Sequence, residues 1–330
     1  MKPTILLTGK TGQVGFELNR SLSQLGRIFA PDHRDLDLLN PGSVRSAIRD
    51  TRPQLIVNAA AYTAVDAAEN DESKAYAINS EAVAILADEA KRLDALLVHY
   101  STDYVFDGTK RSPYIETDEI NPLNVYGKSK LAGEQAIRAS GASHLIIRTG
   151  WVYANRGRNF LLTILRLATE REELKIVCDQ IGAPTFANDL AAATTKILTE
   201  LYPQDKSQTL MSSISGTYHM TAGGETSWYN FAKAILERVP SISPDVPWFA
   251  AATQGRPLIA KRILPISSEE FRSPTRRPIY SVLSNSRLSE IFHIALPNWV
   301  TQLQCCLATE NIDVRRLEAP PRLAPKVLPS

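Results

Sequence analysis

Within its first 25 residues the chain sets down a short apolar run, Ile5-Leu6-Leu7-Thr8, then Gly9-Lys-Thr-Gly12-Gln-Val-Gly15, then apolar residues at helical spacing from Val14 to Leu25. Strand, glycine turn and helix in that order constrain the fold more than any other stretch. Glycines let a backbone approach a pyrophosphate, and a helix N-terminus adds free N–H groups and positive dipole. Gly-x-x-Gly-x-x-Gly alone is weak; its place between a strand and a helix makes it informative. Gly9, Gly12 and Gly15 therefore read as a dinucleotide-binding turn, against the plainer reading of a structural turn.

Further segments extend this start into an alternating α/β pattern. A second strand near Arg27 to Ala30 precedes Pro31-Asp-His-Arg34-Asp35-Leu-Asp37-Leu38. An acid there suits the adenosine ribose hydroxyls and Arg34 suits a 2′-phosphate, so the choice between NAD and NADP stays open. Asn40-Pro41 reads as a cap and first turn. Leu55-Ile-Val-Asn58-Ala59-Ala60-Ala61 reads as a buried strand ending in small residues, which leave room for a ligand or for helix packing. Ala64 to Leu93 is alanine-rich and helical, interrupted near Asp71, with Asn79 inside it as a weak site candidate. Leu96 to Gly108 is a strand whose exit carries Ser101, Thr102 and Asp103, on the crevice side of an open sheet. Either hydroxyl suits a bond to a substrate carbonyl, or simply a turn.

Asn124-Val-Tyr126-Gly-Lys-Ser-Lys130-Leu-Ala-Gly-Glu134 opens a helix running towards Ala139. Tyr126 and Lys130, four apart, share one helical face. A phenol of pKa ~10 is a poor acid at neutral pH, and a nearby ammonium stabilises its phenolate. The pair can then exchange a proton with a carbonyl or alcohol oxygen. Tyr-x-x-x-Lys alone is a chance match more often than not; the strands and turn around it change that. His144 to Tyr153 is a further strand, with Trp151 past its end as pocket lining or core.

The remainder reads as a helix from Asn159 to about Glu172, a strand Leu174 to Val177, and a helix Asn188 to Leu201 capped by Asn188 or Asp189. Then come a polar linker 203–213, a strand Gly216 to Thr221, a helix Ser227 to Val239 and a last helix from Trp299. Arg272, Arg276 and Arg277 suit a sugar-nucleotide pyrophosphate or a solvated loop equally. Residues 319–330 are proline-rich. The organisation expected is a doubly wound parallel sheet with a smaller C-terminal substrate-binding lobe. Residues 1–155 are mainly the dinucleotide-binding domain, 156–315 interleave its remaining elements with the lobe, and 316–330 are a tail.

The 330 residues carry a net charge of +2 and are 22% charged, which offers no electrostatic case for nucleic acid or a membrane surface. Cys178, Cys305 and Cys306 lack zinc spacing, and the adjacent pair suits core packing. With no leader and no bilayer-length apolar run, the expectation is a cytoplasmic protein.

Taken together, Gly-Lys-Thr-Gly-Gln-Val-Gly (9–15), Ala-Ala-Tyr-Thr-Ala-Val-Asp (60–66), Ser-Thr-Asp-Tyr-Val-Phe-Asp-Gly (101–108), Tyr-Gly-Lys-Ser-Lys (126–130), Arg-Thr-Gly-Trp-Val-Tyr (148–153) and Asp-Gln-Ile-Gly-Ala-Pro-Thr (179–185) resemble the dTDP-4-dehydrorhamnose reductase family of extended short-chain dehydrogenases. The resemblance implies reduction of the 4-keto group of dTDP-4-dehydro-L-rhamnose by NADPH or NADH. It implies Tyr126 as proton donor, Lys130 as its partner, Thr102 as the substrate-facing hydroxyl, and Asp103 and Trp151 in the sugar-nucleotide pocket. On the cofactor side it implies Gly12, Gln13 and Val14 at the pyrophosphate, Asp37 and Leu38 at the adenosine, and Ala59, Ala60, Ala61 and Tyr100 along the cleft. Some members link a dimer through magnesium held by a first-helix Glu and two later acids. Glu17 matches the first, but the pair falls at Asn188 and Ala192, with Asp189 out of register. A hard cation needs charged or carbonyl oxygens, so no metal is expected, and any homodimer forms by another route. Two alternatives stay open: another sugar-nucleotide reductase or epimerase of the superfamily, and a non-catalytic, cofactor-binding regulatory relative.

Overall fold

A computed structural model describes residues 2–202 and 214–309. Six strands form one sheet: β1 (Thr4–Thr8), β2 (Arg27–Phe29), β3 (Leu55–Asn58), β4 (Leu96–Thr102), β5 (His144–Thr149) and β6 (Gly216–His219). Their spatial order is β6-β5-β4-β3-β1-β2, and every neighbouring pair is parallel. β3 and β4 are buried along their whole length, as a parallel strand covered on both faces must be.

Side-chain alternation divides the sheet's apolar residues between two cores. Ile5, Leu7, Val57 and Val98 face α1 (Gln13–Ser21) and α5 (Ala187–Leu201), where Leu18, Leu190 and Ile197 meet them. Leu6, Ile56, Leu97 and Ile146 point the other way, onto Val44 and Ile48 of α2 (Pro41–Thr51), Leu86 of α3 (Ala82–Leu93) and Ile137 of α4 (Val125–Ser140). A third core, around Leu161, Ile164, Phe231, Ile235 and Trp248, belongs to the second half of the chain. It backs the parallel pair Glu173–Val177 and Arg262–Ile266. Succession reverses at β1, which has β2 on one side and β3 on the other, so a crevice opens beyond the carboxyl ends of β1 and β3.

Several boundaries differ from the sequence expectation. The first helix stops at Ser21 and tightens into a 3₁₀ turn, Leu22–Gln24. The segment from Ala64 to Leu93 divides into Val65–Ala68, Glu72–Tyr76, a π turn Ala77–Glu81 and α3. Helix α5 begins at Ala187 with Phe186 before it and no side-chain cap. Neither Asn188 nor Asp189 serves, because the short strand Thr185–Phe186 runs straight into the helix and Gln302 Oε1 accepts the Phe186 N–H at 2.7 Å. Cys306 is buried but Cys305 is exposed, so only one of the pair packs the core. The expected linker 203–213 and tail 316–330 lie outside the described residues.

Candidate active site

The glycine turn closes where β1 ends. Gly9 has φ +78, and a Cβ there would stand 2.7 Å from the Ala59 backbone. A Cβ on Gly15 would collide with the Gly9 carbonyl oxygen. Gly12 sits at the N-cap of α1 without a side-chain cap, leaving the helix's first N–H groups to face outward. In front of the turn lies a cleft of about 610 Å³, lined by Gly9, Gly12, Gln13 and Val14, by Asp37 and Leu38, by Ala59, Ala60 and Ala61, and by Tyr100, Tyr126 and Lys130. Gly15 lies behind that lining as a packing residue. Lys10, Asp32, His33, Thr149 and Arg158 also line the cleft. Asp32 and His33 fall within the stretch read for the adenosine side; Arg158 lies in a loop whose approach to the turn no local pattern marks.

Helix α4 carries the catalytic candidates, and its start is fixed on both sides. Asn124 Oδ1 accepts the Gly127 N–H at 2.8 Å, and its Nδ2 donates to the Arg276 carbonyl at 2.9 Å. Along one face at intervals of four stand Tyr126, Lys130 and Glu134. Glu134 accepts from Arg148 Nε at 2.9 Å and Nη2 at 2.7 Å, from Ser101 Oγ at 2.6 Å and from Arg138 at 3.1 Å. Burial pushes the Glu134 carboxyl up, but Arg148 and Ser101 outweigh it and hold the group below its ordinary value. Asn79, in the π turn, ties the loop after β3 to α4: its amide pairs with the Tyr62 backbone at 2.8 and 3.0 Å and donates to Ser129 Oγ at 3.0 Å. These bonds give it a clamping role between the two segments.

Thr102 ends β4, buried, with its hydroxyl 3.1 Å from Asp103 Oδ1 and accepting the Tyr104 N–H. Burial pushes the Tyr126 phenol up to about 12, with the nearby Thr102 hydroxyl opposing. The sequence reading had Lys130 lowering that phenol. Burial prevails instead, and the lysine bonds elsewhere. Its Nζ donates to the Tyr100 carbonyl at 2.6 Å and lies 3.2 Å from His99 Nε2. Burial brings Lys130 down to about 8, with Glu134 opposing. Burial likewise pushes the Asp103 carboxyl up to about 6.

Thr102, Asp103 and Trp151 are not part of the cleft lining; Thr102 is the last residue of β4, Asp103 follows it, and Trp151 stands past the end of β5. Trp151, at φ +50, stacks face to face on Trp228, with ring centroids 3.4 Å apart and planes 2° apart. Gln180 Oε1 accepts the Trp228 indole N–H at 3.2 Å, and the Trp151 ring occupies the space a Cβ on Gly182 would take. Trp228 opens a helix of the second half, and nothing in its local pattern marked it. Arg277 pairs with Asp66 at 2.9 Å. The Glu17 carboxylate meets Arg20 at 2.8 Å, and the same guanidinium donates to Asn188 Oδ1 at 2.8 Å. Among the described residues no cluster of three His, Cys, Asp or Glu is arranged to hold a metal ion.

The family profile described as the RmlD substrate binding domain matches residues 1–312. A dTDP-4-dehydrorhamnose reductase of Burkholderia thailandensis is 48% identical over 303 residues, covering 92% of this chain and 97% of the relative. The chain belongs to the dTDP-4-dehydrorhamnose reductase family. A second member, from Escherichia coli K12, is 43% identical over 300 residues, 89% of this chain and 94% of that one. A crystal structure of a dTDP-4-dehydrorhamnose reductase from Bacillus anthracis in complex with NADP superposes with a TM-score of 0.79 at 34% identity, covering 93% of this chain and 99% of that one. A UDP-glucose 4-epimerase of Thermus thermophilus in complex with NAD, 17% identical with a TM-score of 0.71 over 92% of this chain and 97% of that one, shows that the fold extends beyond the reductases.

Proposed function

We propose that the chain reduces the 4-keto group of dTDP-4-dehydro-L-rhamnose with NADPH or NADH, giving dTDP-L-rhamnose. One observation carries the reading: Tyr126 and Lys130 line the same cleft as the glycine turn. Gly9 and Gly15 let the turn close tightly against Ala59 and against itself, which sets the N-terminus of α1 at the cleft where a pyrophosphate would lie. Gly12, Gln13 and Val14 would hold that group, Asp37 and Leu38 the adenosine, and Ala59 to Ala61 and Tyr100 the middle of the cofactor. When bound, the reduced nicotinamide supplies the hydride.

The remaining work falls to the side chains. Tyr126 holds the proton destined for O4, and its raised pKa keeps it in the acid form a reduction needs. Thr102 orients that oxygen. Asp103 and Trp151 bound the sugar-nucleotide pocket. Alignment of ketone, phenol and hydride donor supplies much of the acceleration. The family's metal-linked dimer finds no support in Glu17, whose charge Arg20 meets. No described helix is long and apolar enough to cross a membrane, and we place the protein in the cytoplasm. The test is oxidation of NADPH, then NADH, with dTDP-4-dehydro-L-rhamnose and identification of the sugar formed. Cofactor binding without turnover would favour the regulatory alternative, and turnover of other 4-keto sugars alone a different reductase.

A further inference from the structure

Beneath the cleft runs a buried polar chain that ends on Lys130 and whose other members the reaction as described does not use. Thr8, Asn58, His99 and Lys130 are each at most 2% exposed, on β1, β3, β4 and α4 in turn. The Ala60 backbone N–H, which can only donate, lies 3.2 Å from Asn58 Oδ1, and the Thr8 hydroxyl donates to the same oxygen at 2.6 Å. The amide's orientation is thereby fixed, and Asn58 Nδ2 must be the donor towards His99 Nδ1, 2.9 Å away. A neutral imidazole that accepts at Nδ1 carries its proton on Nε2. That N–H points at Lys130 Nζ, 3.2 Å off, while Nζ already donates to the Tyr100 carbonyl. An ammonium in this place meets a donor with a donor; a neutral amine offers the lone pair that His99 wants.

We infer that His99, locked in its Nε2–H tautomer by Asn58 and Thr8, is a positioning residue that makes Lys130 a lysine ready to release its proton rather than a permanent cation. The inference rests on the reductase reading for its purpose. After Tyr126 has given its proton to O4 it is left as a phenolate. Lys130 then gives up one proton towards that phenolate and becomes the amine, which accepts from His99 Nε2–H until solvent returns the proton. Other ionisable groups around Lys130 are Tyr126 and Glu134 on its own helix and Tyr100 and Asp103 on the β4 side, with Glu134 already neutralised by Arg148. Glu134 favours the ammonium, whereas burial opposes it; burial first, and then the Lys130 charge, hold His99 well below its ordinary value.

Two measurements on the cofactor-free protein test this without the reaction. In the ¹⁵N-histidine spectrum at pH 7, His99 should show a protonated Nε2 and a bare Nδ1; the opposite tautomer, or an imidazolium, overturns the inference. In ¹³Cε-lysine spectra, with Lys130 assigned from the Lys130→Arg protein, two variants should move its titration the same way. His99→Gln supplies an oxygen that accepts from the ammonium. Asn58→Asp faces Nδ1 with an acceptor, forcing the proton there and leaving Nε2 bare. Each should raise the Lys130 midpoint by more than one pH unit, with the alkaline limb of kcat moving in parallel. A midpoint unmoved in whichever variant folds leaves His99 with a packing role only and overturns the inference. A parent protein with no turnover on the keto sugar would instead count against the reductase reading and leave both spectroscopic results standing, so the two failures are distinguishable.

Discussion

Glu134→Gln isolates the ion pair that holds α4 to the sheet. In the parent the carboxylate is 0% exposed and its Arg148 partner 1%, joined by two bonds of 2.9 and 2.7 Å. The substitution keeps the side chain's size and one acceptor but leaves a guanidinium buried without a countercharge. Breaking a buried pair by neutralising one member costs roughly 3–5 kcal/mol. The retained acceptor puts the expectation at the lower end, about 3 kcal/mol. Urea unfolding at pH 7 should show this as a lower midpoint at unchanged slope. The sign with pH follows from the depressed carboxyl. Its stabilisation is fully present above the unfolded value and is lost as pH falls through the lower folded value, so parent and variant should converge in acid. Adding Arg148→Met, which lays an apolar chain over the Phe106 ring now beneath the guanidinium, should recover much of the loss. A single-variant cost below about 1 kcal/mol at pH 7, or a gap undiminished in acid, would refute the reasoning.

Other outcomes follow from the same geometry. Tyr126→Phe should lower kcat on the order of 10²–10⁴-fold while NADPH binding by fluorescence titration stays unchanged. Gly15→Ala sets a methyl against the Gly9 carbonyl and should abolish cofactor binding in the same titration. Asp103 is raised to about 6 by burial, so its contribution is present below its unfolded value and is lost as pH rises through the folded one. Asp103→Asn should therefore be more stable than the parent at pH 8, by up to ~3 kcal/mol from a shift of about two units, and turn over more slowly. EDTA should change neither kcat nor the sedimentation coefficient, because Arg20 already answers Glu17.

The glycine turn and the Tyr126–Lys130 pair were legible because their signals are local: a strand-to-helix switch within ten residues, and two side chains one helical turn apart. The apolar run from Leu55 to Val57 likewise read as a buried strand, and it is one. What stayed hidden depends on pairings between distant segments. Asn79 looked like a stray polar residue in a helix because the π turn and its partner Ser129 exist only after folding. His99 read as one polar residue in a strand; its meaning comes from Asn58 on one side and Lys130 on the other. Trp151 was singled out, but not its stacking partner Trp228, contributed from 77 positions further on.

The sheet's last member, β6, lies beyond residue 215 and pairs with β5, whose outer edge has no other strand beside it among the described residues. A ribosome making this protein therefore delivers the whole nucleotide-binding motif long before that edge is covered. Until then a nascent chain carries a bare, apolar strand rim, the kind of surface that recruits neighbouring chains. Truncations ending before Gly216 should on this account be insoluble rather than merely inactive, and the interval between synthesis of β5 and of β6 is when the polypeptide most needs a chaperone.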